Sequence, residues 1–146
     1  PYAPHPAPFS IVFTGSLDWF PNEDGLIYFF TEIYPFIKEK IPRVNITIVG
    51  KSPSKRLLQF ARNDNSINFT GRVDDVRPYM SKADVFVVPL RIGGGTRLKI
   101  LEAMAIGLPV VSTSIGAEGL EANNNEQLLI ADTPDEFVEK VISVME

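Results

Sequence analysis

The chain has 146 residues, of which 45% are hydrophobic and 22% are charged, and its formal net charge is −4. This length fits one compact domain with its own core, and the negative charge predicts no general attraction to nucleic acid or to an anionic membrane surface. The absence of cysteine excludes disulfide frameworks, thiolate metal sites and cysteine nucleophiles, and no apolar run approaches a membrane span of roughly 18 residues.

The beginning of the chain is rich in proline, with Pro1, Pro4, Pro6 and Pro8 close together. Closely spaced prolines favour extended, semi-rigid chain over helix. We expect residues 1–9 to be the remnant of a linker that joins an upstream domain to residues 10–146, a single domain. An ordinary ragged terminus is the alternative.

Six short apolar runs, separated by helical patterns, predict six strands. In chain order they read SIVFTG, VNITIVG, INFTG, VFVVPL, PVVSTS and LLIAD. Strands that alternate with helices form a parallel sheet covered on both faces, and right-handed crossovers make such a sheet doubly wound. The predicted fold class is therefore α/β, a Rossmann-like, doubly wound parallel sheet of about six strands with helices on both faces.

The helical patterns between these strands begin with side chains that favour N-cap positions. The predicted caps are Asn22, Ser52, Asp74 and Thr133. Pro35 falls inside the first helical pattern, over residues 22–41, where a proline removes an N–H group and should kink the helix.

Glycines follow four of the predicted strands at the point where each strand ends. They are Gly15, Gly50, Gly71 and the run of Gly93, Gly94 and Gly95. Ligands bind beyond the carboxyl ends of the strands in such sheets, and glycine lets backbone approach a ligand closely. Glycine is also the ordinary strand-to-helix turn residue, so that interpretation stays open beside a ligand site.

The segment GGGTRLKILEAMAIG follows the fourth predicted strand and joins a glycine run to basic side chains. Its helix is predicted to begin near Thr96, where free N–H groups and the helix dipole favour an anion. Arg97 and Lys99 lie close to this start, against the dipole, and a shared bound anion explains them best. A solvated pair of charges, with Lys99 bonded to Glu102, is the alternative.

Glu102 stands among apolar neighbours in this helix, a pattern that predicts a largely buried helix. The glutamate lies roughly 7 to 8 Å along the axis from Arg97, at about 1.5 Å per residue. That offset suits a diphosphate at the helix start and a ribose one turn deeper, because a carboxylate can accept hydrogen bonds from both hydroxyls of a diol.

Other motifs with a known chemistry are absent. The single histidine, His5, lies in the proline-rich start, so residues 10–146 hold no histidine-based triad or metal cluster. The glycine run lacks the last glycine of the dinucleotide fingerprint, and no P-loop is present. We expect neither a metal ion nor a cofactor.

The segments INFTGRVDDVRPYMSKADVFVVPL and GGGTRLKILEAMAIGLPVVST resemble the C-terminal, donor-binding domain of retaining GT-B glycosyltransferases of family 4, the glycosyl transferases group 1. VFTGSLDWFPNEDG and LLIADTPDEFVEKV are similar to the same family, so the resemblance runs from about Phe9 to Met145. It implies the C-terminal half of a GT-B fold and a metal-independent, retaining transfer of sugar from a nucleotide-diphosphate sugar.

The resemblance also implies roles for particular residues. Glu102 would hold the ribose, the glycine turn and the helix start would face the diphosphate, and the main chain after the third strand would border the base. The expected substrate-binding residues are Gly15, Ser16, Arg72, Val73, Gly93, Gly94, Gly95, Thr96 and Glu102.

Three positions depart from the family's common pattern. Gly94 stands where a glutamate commonly contacts the donor sugar, Ser16 where an arginine is common, and Asp24 where a lysine is usual. Because that basic pair is absent, we expect Arg97 and Lys99 to replace it and to stabilise the leaving diphosphate as catalytic residues.

The leading interpretation is the donor half of a hexosyltransferase-like enzyme of carbohydrate biosynthesis, bacterial and cytoplasmic. Its partners would be a nucleotide-diphosphate sugar and an upstream acceptor-binding domain. Any peripheral membrane contact would pass through that domain, and the 146 residues alone would transfer no sugar. A non-catalytic nucleotide-sugar-binding module is the alternative. A phospho-accepting signalling domain of flavodoxin-like topology is a third interpretation. It would need acidic residues clustered after the first strand and an aspartate at the end of the third, whereas this chain has Gly15-Ser16 and Gly71-Arg72 there.

Overall fold

The computed structural model describes residues 9–120 and 127–146. Its strands are β1 (Ser10–Thr14), β2 (Asn45–Val49), β3 (Ile67–Phe69), β4 (Val85–Val88), β5 (Val110–Ser112) and β6 (Leu128–Ile130). Its α-helices are α1 (Phe20–Tyr28), α2 (Tyr34–Lys40), α3 (Lys55–Asn63), α4 (Arg77–Ser81), α5 (Arg97–Ala105) and α6 (Pro134–Met145). Within this part of the chain, no helix is both long and apolar enough to cross a membrane.

The six strands form one parallel sheet in the order β3-β2-β1-β4-β5-β6. At its centre, Ile11 of β1 pairs with Ile46 of β2 on one side and with Val85 of β4 on the other. The predicted fold class is confirmed. The order differs from the flavodoxin-like 2-1-3-4-5 and reverses between β1 and β4, so the ligand crevice of this fold lies at that point.

Helices cover both faces of the sheet and create two cores. On one face, residues of α1, α2, α3 and α6 pack on the sheet around Phe29 and Phe137. On the other face, α4 and α5 contribute Met80, Ile100 and Ala103. Every residue of β1 and β4 is buried, as expected of central strands in a sheet covered on both sides.

The first helical region is less regular than the sequence predicts. Its N-cap is Trp19, so the prediction of Asn22 as the cap is wrong. Asn22 instead lies inside α1, and its amide Nδ2 donates to the carbonyl of Ser16 at 2.8 Å. A π-helical segment, Phe29–Ile33, separates α1 from α2 just before Pro35. A proline has no N–H for the preceding turn, and the predicted interruption is confirmed as this widened turn.

Two other N-caps are displaced from their predicted positions. Ser54, not Ser52, caps α3 by accepting a backbone N–H bond at 3.2 Å. The N-cap of α4 is Val76, not Asp74, and the first N–H of that helix donates to the Asp75 carboxylate at 3.0 Å. Thr133 caps α6 as predicted, with a 3.2 Å bond from the third helical residue. Neighbouring polar residues compete for one cap, and the local backbone path decides which of them reaches the N–H group.

Helix α5 begins after Thr96, as predicted, and it is not the buried helix that its apolar sequence indicates. Only Ile100 and Ala103 are buried, whereas the Leu98 side chain is 74% exposed. The helix is nine residues long and meets the sheet along one stripe, so apolar residues on its other sides face outward. The expectation of a buried Glu102 is wrong for the same reason, because this residue is exposed.

The carboxyl ends of β1 and β2 approach each other through two glycines. The N–H of Gly15 donates to the Val49 carbonyl at 3.0 Å. The carbonyl oxygen of Gly15 then lies 1.8 Å from the position that a Cβ on Gly50 would take. No side chain fits at position 50 unless the backbone of Gly15 moves.

We expect the substitution Gly50→Ala to lower the free energy of unfolding by about 1 to 3 kcal/mol, the usual cost of overpacking a rigid site. Urea unfolding followed by circular dichroism measures this loss. The control is Lys51→Ala, a truncation of the exposed neighbouring side chain, which should change stability by less than about 0.5 kcal/mol. Equal stability of the two variants would show that the backbone relaxes without cost.

Candidate functional site

The candidate site is the crevice at the carboxyl edge of the sheet, between β1 and β4. Gly15 and Ser16 follow β1, and residues 91–96 lead from β4 to α5. The first turn of α5 closes the crevice from one face of the sheet. The fold therefore brings together the first-strand loop and the glycine run, which are far apart in sequence.

Lys99 reaches from α5 to the end of β1. Its ammonium Nζ donates to the carbonyl of Thr14 at 2.6 Å. The same atom lies 2.8 Å from the position that a Cβ on Gly15 would take, and Asn22 Nδ2 lies 2.7 Å from it. Glycine at position 15 is thus what allows a cation to sit at the end of this central strand.

The Lys99 side chain is half-buried, and among the described residues no carboxylate forms an ion pair with its ammonium. Burial lowers the pKa of Lys99 to about 8, and the negative charge of Glu102 opposes that shift. The aromatic ring of Phe13 lies 5.3 Å from Nζ. The ion pairs formed by residues 9–120 and 127–146 do not include Lys99, so the alternative of a Lys99–Glu102 bond is wrong. An ammonium has three donors, and a bound anion would supply the missing charge.

Asn22 is a neighbour of this cation that the sequence analysis did not identify as part of the site. The residue is 2% exposed. Its Nδ2 is bonded to the Ser16 carbonyl, while its Oδ1 is buried without a hydrogen-bond partner. The sequence held no usable signal for this placement, because an asparagine before a helical pattern reads as a cap.

The glycine turn exposes its backbone at the start of α5. Gly94 and Gly95 have φ angles of +125° and +74°, which side chains with a Cβ rarely adopt. The indole of Trp19 lies 3.5 Å from the position of a Cβ on Gly94, whereas the space around Gly95 is open. Thr96 is buried, and its hydroxyl donates to the Gly116 carbonyl instead of capping the helix. The first N–H groups of α5 therefore have no side-chain cap.

Arg97 does not lie beside Lys99. Its side chain packs on Gly119, where an added Cβ would be 2.9 Å from Arg97 Cδ. Gly119 belongs to the loop after β5, while Lys99 points to the end of β1. The two cations consequently flank the glycine turn from opposite sides, and Arg97 is the exposed one of the pair.

A cleft of about 550 Å³ opens beside Glu102, between α4 and α5. Its lining is formed by Asp74, Asp75, Val76, Arg77, Met80, Glu102, Ala105 and Ile106. Arg72 and Val73 are not among these residues: Arg72 is exposed, and Val73 packs on the core under α4 and α5. The loop after β3 thus faces the cleft with the residues that follow the predicted pair.

The two remaining departures from the family pattern have local partners. Asp24 accepts two hydrogen bonds from Arg91, at 2.8 and 3.1 Å. The Arg91 guanidinium also lies 4.9 Å from the ring centre of Tyr28. The hydroxyl of Ser16 donates to Asp18. Neither position supplies a free cation, and the positive group that contacts the end of β1 is Lys99.

Comparison with known proteins gives an independent result. The model of the family "Glycosyl transferases group 1" matches residues 8–146. An uncharacterized 44.6 kDa protein in the cps region of Klebsiella pneumoniae is 30% identical over 142 residues, which cover 92% of this chain and 36% of that protein. The chain therefore spans about a third of the length of this relative.

Two solved structures share the fold at low sequence identity. Alr3699/HepE of Anabaena, in complex with UDP and glucose, gives a TM-score of 0.73 at 21% identity and covers 96% of this chain and 39% of its own. The C-terminal domain of LpcC, a glycosyl transferase group 1 family protein of Francisella tularensis, gives a TM-score of 0.70 at 20% identity. That match covers 94% of this chain and 75% of the LpcC chain.

The lowered pKa of Lys99 predicts a pH-dependent stability. Above about pH 8 the folded chain binds fewer protons at this group than the unfolded chain does, so the free energy of unfolding should rise with pH between about 7 and 9.5. The window ends below the ordinary tyrosine pKa of about 10, because burial also raises the pKa of Tyr34 and reverses the sign there.

Urea unfolding at several pH values checks this prediction. The rise should be absent in Lys99→Met and present in the control Lys40→Met, which alters an exposed lysine of α2. A rise of the same size in all three proteins would contradict the assignment to Lys99.

Proposed function

This chain belongs to the glycosyl transferases group 1 family, and from that membership we propose that it is the C-terminal, donor-binding half of a retaining glycosyltransferase. Its ligand would be a nucleotide-diphosphate sugar. The group transferred would be a hexose, and the acceptor would bind to another part of the protein, since this chain covers 36% of the length of its Klebsiella relative. By itself the 146-residue chain would bind nucleotide and transfer no sugar.

The observation that carries the proposal is the Lys99 ammonium at the end of β1. It is partly desolvated, it is bonded to the Thr14 carbonyl, and it lacks an anionic partner within the described residues. Buried charges are normally paired. A diphosphate in the crevice would pair with Lys99 and would also accept bonds from the first N–H groups of α5.

Glu102 extends the same arrangement toward the nucleoside. It lies three residues after Lys99 on α5 and stands at the edge of the cleft. The two hydroxyls of a ribose in this cleft would donate hydrogen bonds to the carboxylate. The base would then lie against the loop after β3, where Arg72 and Val73 were expected and where Asp74, Asp75 and Val76 line the wall.

The chemistry would be the transfer of a glycosyl group. The bond between the anomeric carbon and the diphosphate oxygen breaks, the acceptor hydroxyl oxygen bonds to the same carbon, and the hydroxyl proton is released. Charge develops on the departing diphosphate, and Lys99, Arg97 and the helix N-terminus would stabilise it. The family resemblance is the basis on which we propose retention of anomeric configuration and independence from metal ions. Repeating the nucleotide titrations with EDTA tests the second point.

A non-catalytic binding module is the second candidate. The pairing of Asp24 with Arg91 favours this candidate, because a neutralised ion pair then stands where the family commonly has a free lysine. One assay distinguishes the two functions: the complete protein is supplied with a nucleotide sugar and an acceptor, and release of nucleoside diphosphate is measured. Only an enzyme would release it.

The first test of the proposal is a thermal-shift panel with UDP, GDP and ADP. A ligand at 100 times its Kd should stabilise the chain by about 2.7 kcal/mol, which corresponds to roughly 5 to 10 °C in Tm. Glu102→Ala should weaken binding on the order of tenfold to a hundredfold, because hydrogen bonds to a charged group are lost. Glu39→Ala, an exposed glutamate of α2, is the matched control. No shift with any nucleotide would overturn the proposal.

The second test separates the diphosphate from the nucleoside. Lys99→Met should weaken nucleoside diphosphate binding by about tenfold to a hundredfold and leave nucleoside binding unchanged, since only the former carries the charge that Lys99 would meet. Arg97→Ala should have a smaller effect because its exposed guanidinium is screened by solvent. Titration calorimetry measures both. Unchanged diphosphate affinity in both variants would remove these residues from the site.

A further inference from the structure

The loop after β5 is fastened to the glycine turn by side-chain hydrogen bonds. The Thr96 hydroxyl donates to the Gly116 carbonyl, and the Thr113 hydroxyl donates to the carbonyl of Leu90. The N–H of Gly116 donates in turn to the Thr113 oxygen at 3.0 Å. Both hydroxyl donors are in buried residues. The position of this loop relative to the glycine turn is therefore set by internal bonds.

Glycine at position 116 is required for this attachment. An added Cβ would lie 2.5 Å from the Ser112 hydroxyl oxygen and 3.0 Å from the Val88 carbonyl oxygen. The loop thus lies directly on the end of β4. The residue that it carries toward the crevice, two positions later, is Glu118.

The Glu118 carboxylate lies at the glycine turn with both oxygens available. Its Oε2 is 3.2 Å from the position that a Cβ on Gly93 would take. The side chain is exposed, and within residues 9–120 and 127–146 no hydrogen bond or ion pair holds its carboxylate. Carboxylate oxygens accept hydrogen bonds, so a ligand group that binds at Glu118 would be a donor.

The strand order decides which part of a ligand would reach Glu118. The cleft beside Glu102 is walled by the loop after β3, on one side of the β1–β4 crevice, and Glu118 follows β5 on the other side. A nucleotide sugar has its nucleoside and its sugar at opposite ends of the diphosphate. With the nucleoside in the cleft and the diphosphate at Lys99, the sugar extends toward the β5 loop.

We propose that Glu118 binds the transferred sugar by accepting hydrogen bonds from two of its neighbouring hydroxyl groups. This inference rests on the proposed function, because it takes the nucleoside and the diphosphate to lie as described there. A carboxylate with two free oxygens matches a pair of hydroxyl donors, and the bonded loop holds it in place before the ligand arrives. Glu118 would thus decide how much the sugar adds to the affinity of the nucleotide.

The test compares nucleotides with and without the sugar on the same protein. Titration calorimetry gives the Kd of UDP, UDP-glucose, UDP-N-acetylglucosamine, GDP and GDP-mannose for the unaltered chain and for Glu118→Gln. Glutamine keeps the shape and removes the charge. For the sugar nucleotide that binds most tightly, the ratio of its Kd to that of its nucleoside diphosphate should rise about tenfold in Glu118→Gln, as expected when charge-assisted hydrogen bonds are lost.

The control Glu39→Gln changes the same residue type on α2 and should leave this ratio unchanged. Circular dichroism checks that both variants fold. A ratio in Glu118→Gln equal to that of the unaltered chain would overturn the role of Glu118 and leave the proposed function standing. If the unaltered chain binds none of these ligands and ADP gives no thermal shift either, the proposed function itself fails.

Discussion

One hydrogen bond holds the candidate site together: the Lys99 ammonium donates to the Thr14 carbonyl at 2.6 Å. It connects a helix on one face of the sheet to the end of the central strand. The contact exists because residue 15 has no side chain in the path of the ammonium. Burial makes an unpaired charge unfavourable, so the contact that attaches α5 to the sheet is also the basis on which we propose an anionic ligand.

Glycines give the loops of the crevice the room to pack this closely. The carbonyl of Gly15 occupies the place of a Gly50 side chain, and the end of β4 occupies that of a Gly116 side chain. The resulting edge has Lys99 on one side of the glycine turn and Glu118 on the other. A cation on one side and an acceptor on the other suit a ligand that is anionic in the middle and rich in hydroxyls at one end.

The sequence predicted the strands more accurately than it predicted the helix caps or the burial of single side chains. The six strands were predicted correctly because strands of a sheet covered on both faces are largely apolar, and glycines follow four of them. The cap at Ser54 was misplaced to Ser52 because both residues have the right chemistry and only the backbone path separates them. The prediction that Glu102 is buried was wrong. It was based on apolar neighbours in the sequence, whereas burial depends on which stripe of α5 meets the sheet. The roles of the predicted site residues in binding remain predictions.

By itself, the amino-acid sequence determined the α/β architecture, the glycine turn and the start of α5, because these follow from local periodicity and backbone preferences. Only the tertiary structure decided that Lys99 meets Gly15 while Arg97 turns to Gly119, that Asp24 pairs with Arg91, and that Glu118 lies at the glycine turn. These contacts join residues from different crossovers. Their geometry depends on strand order and on how loops pack at a shared edge, which local sequence does not encode.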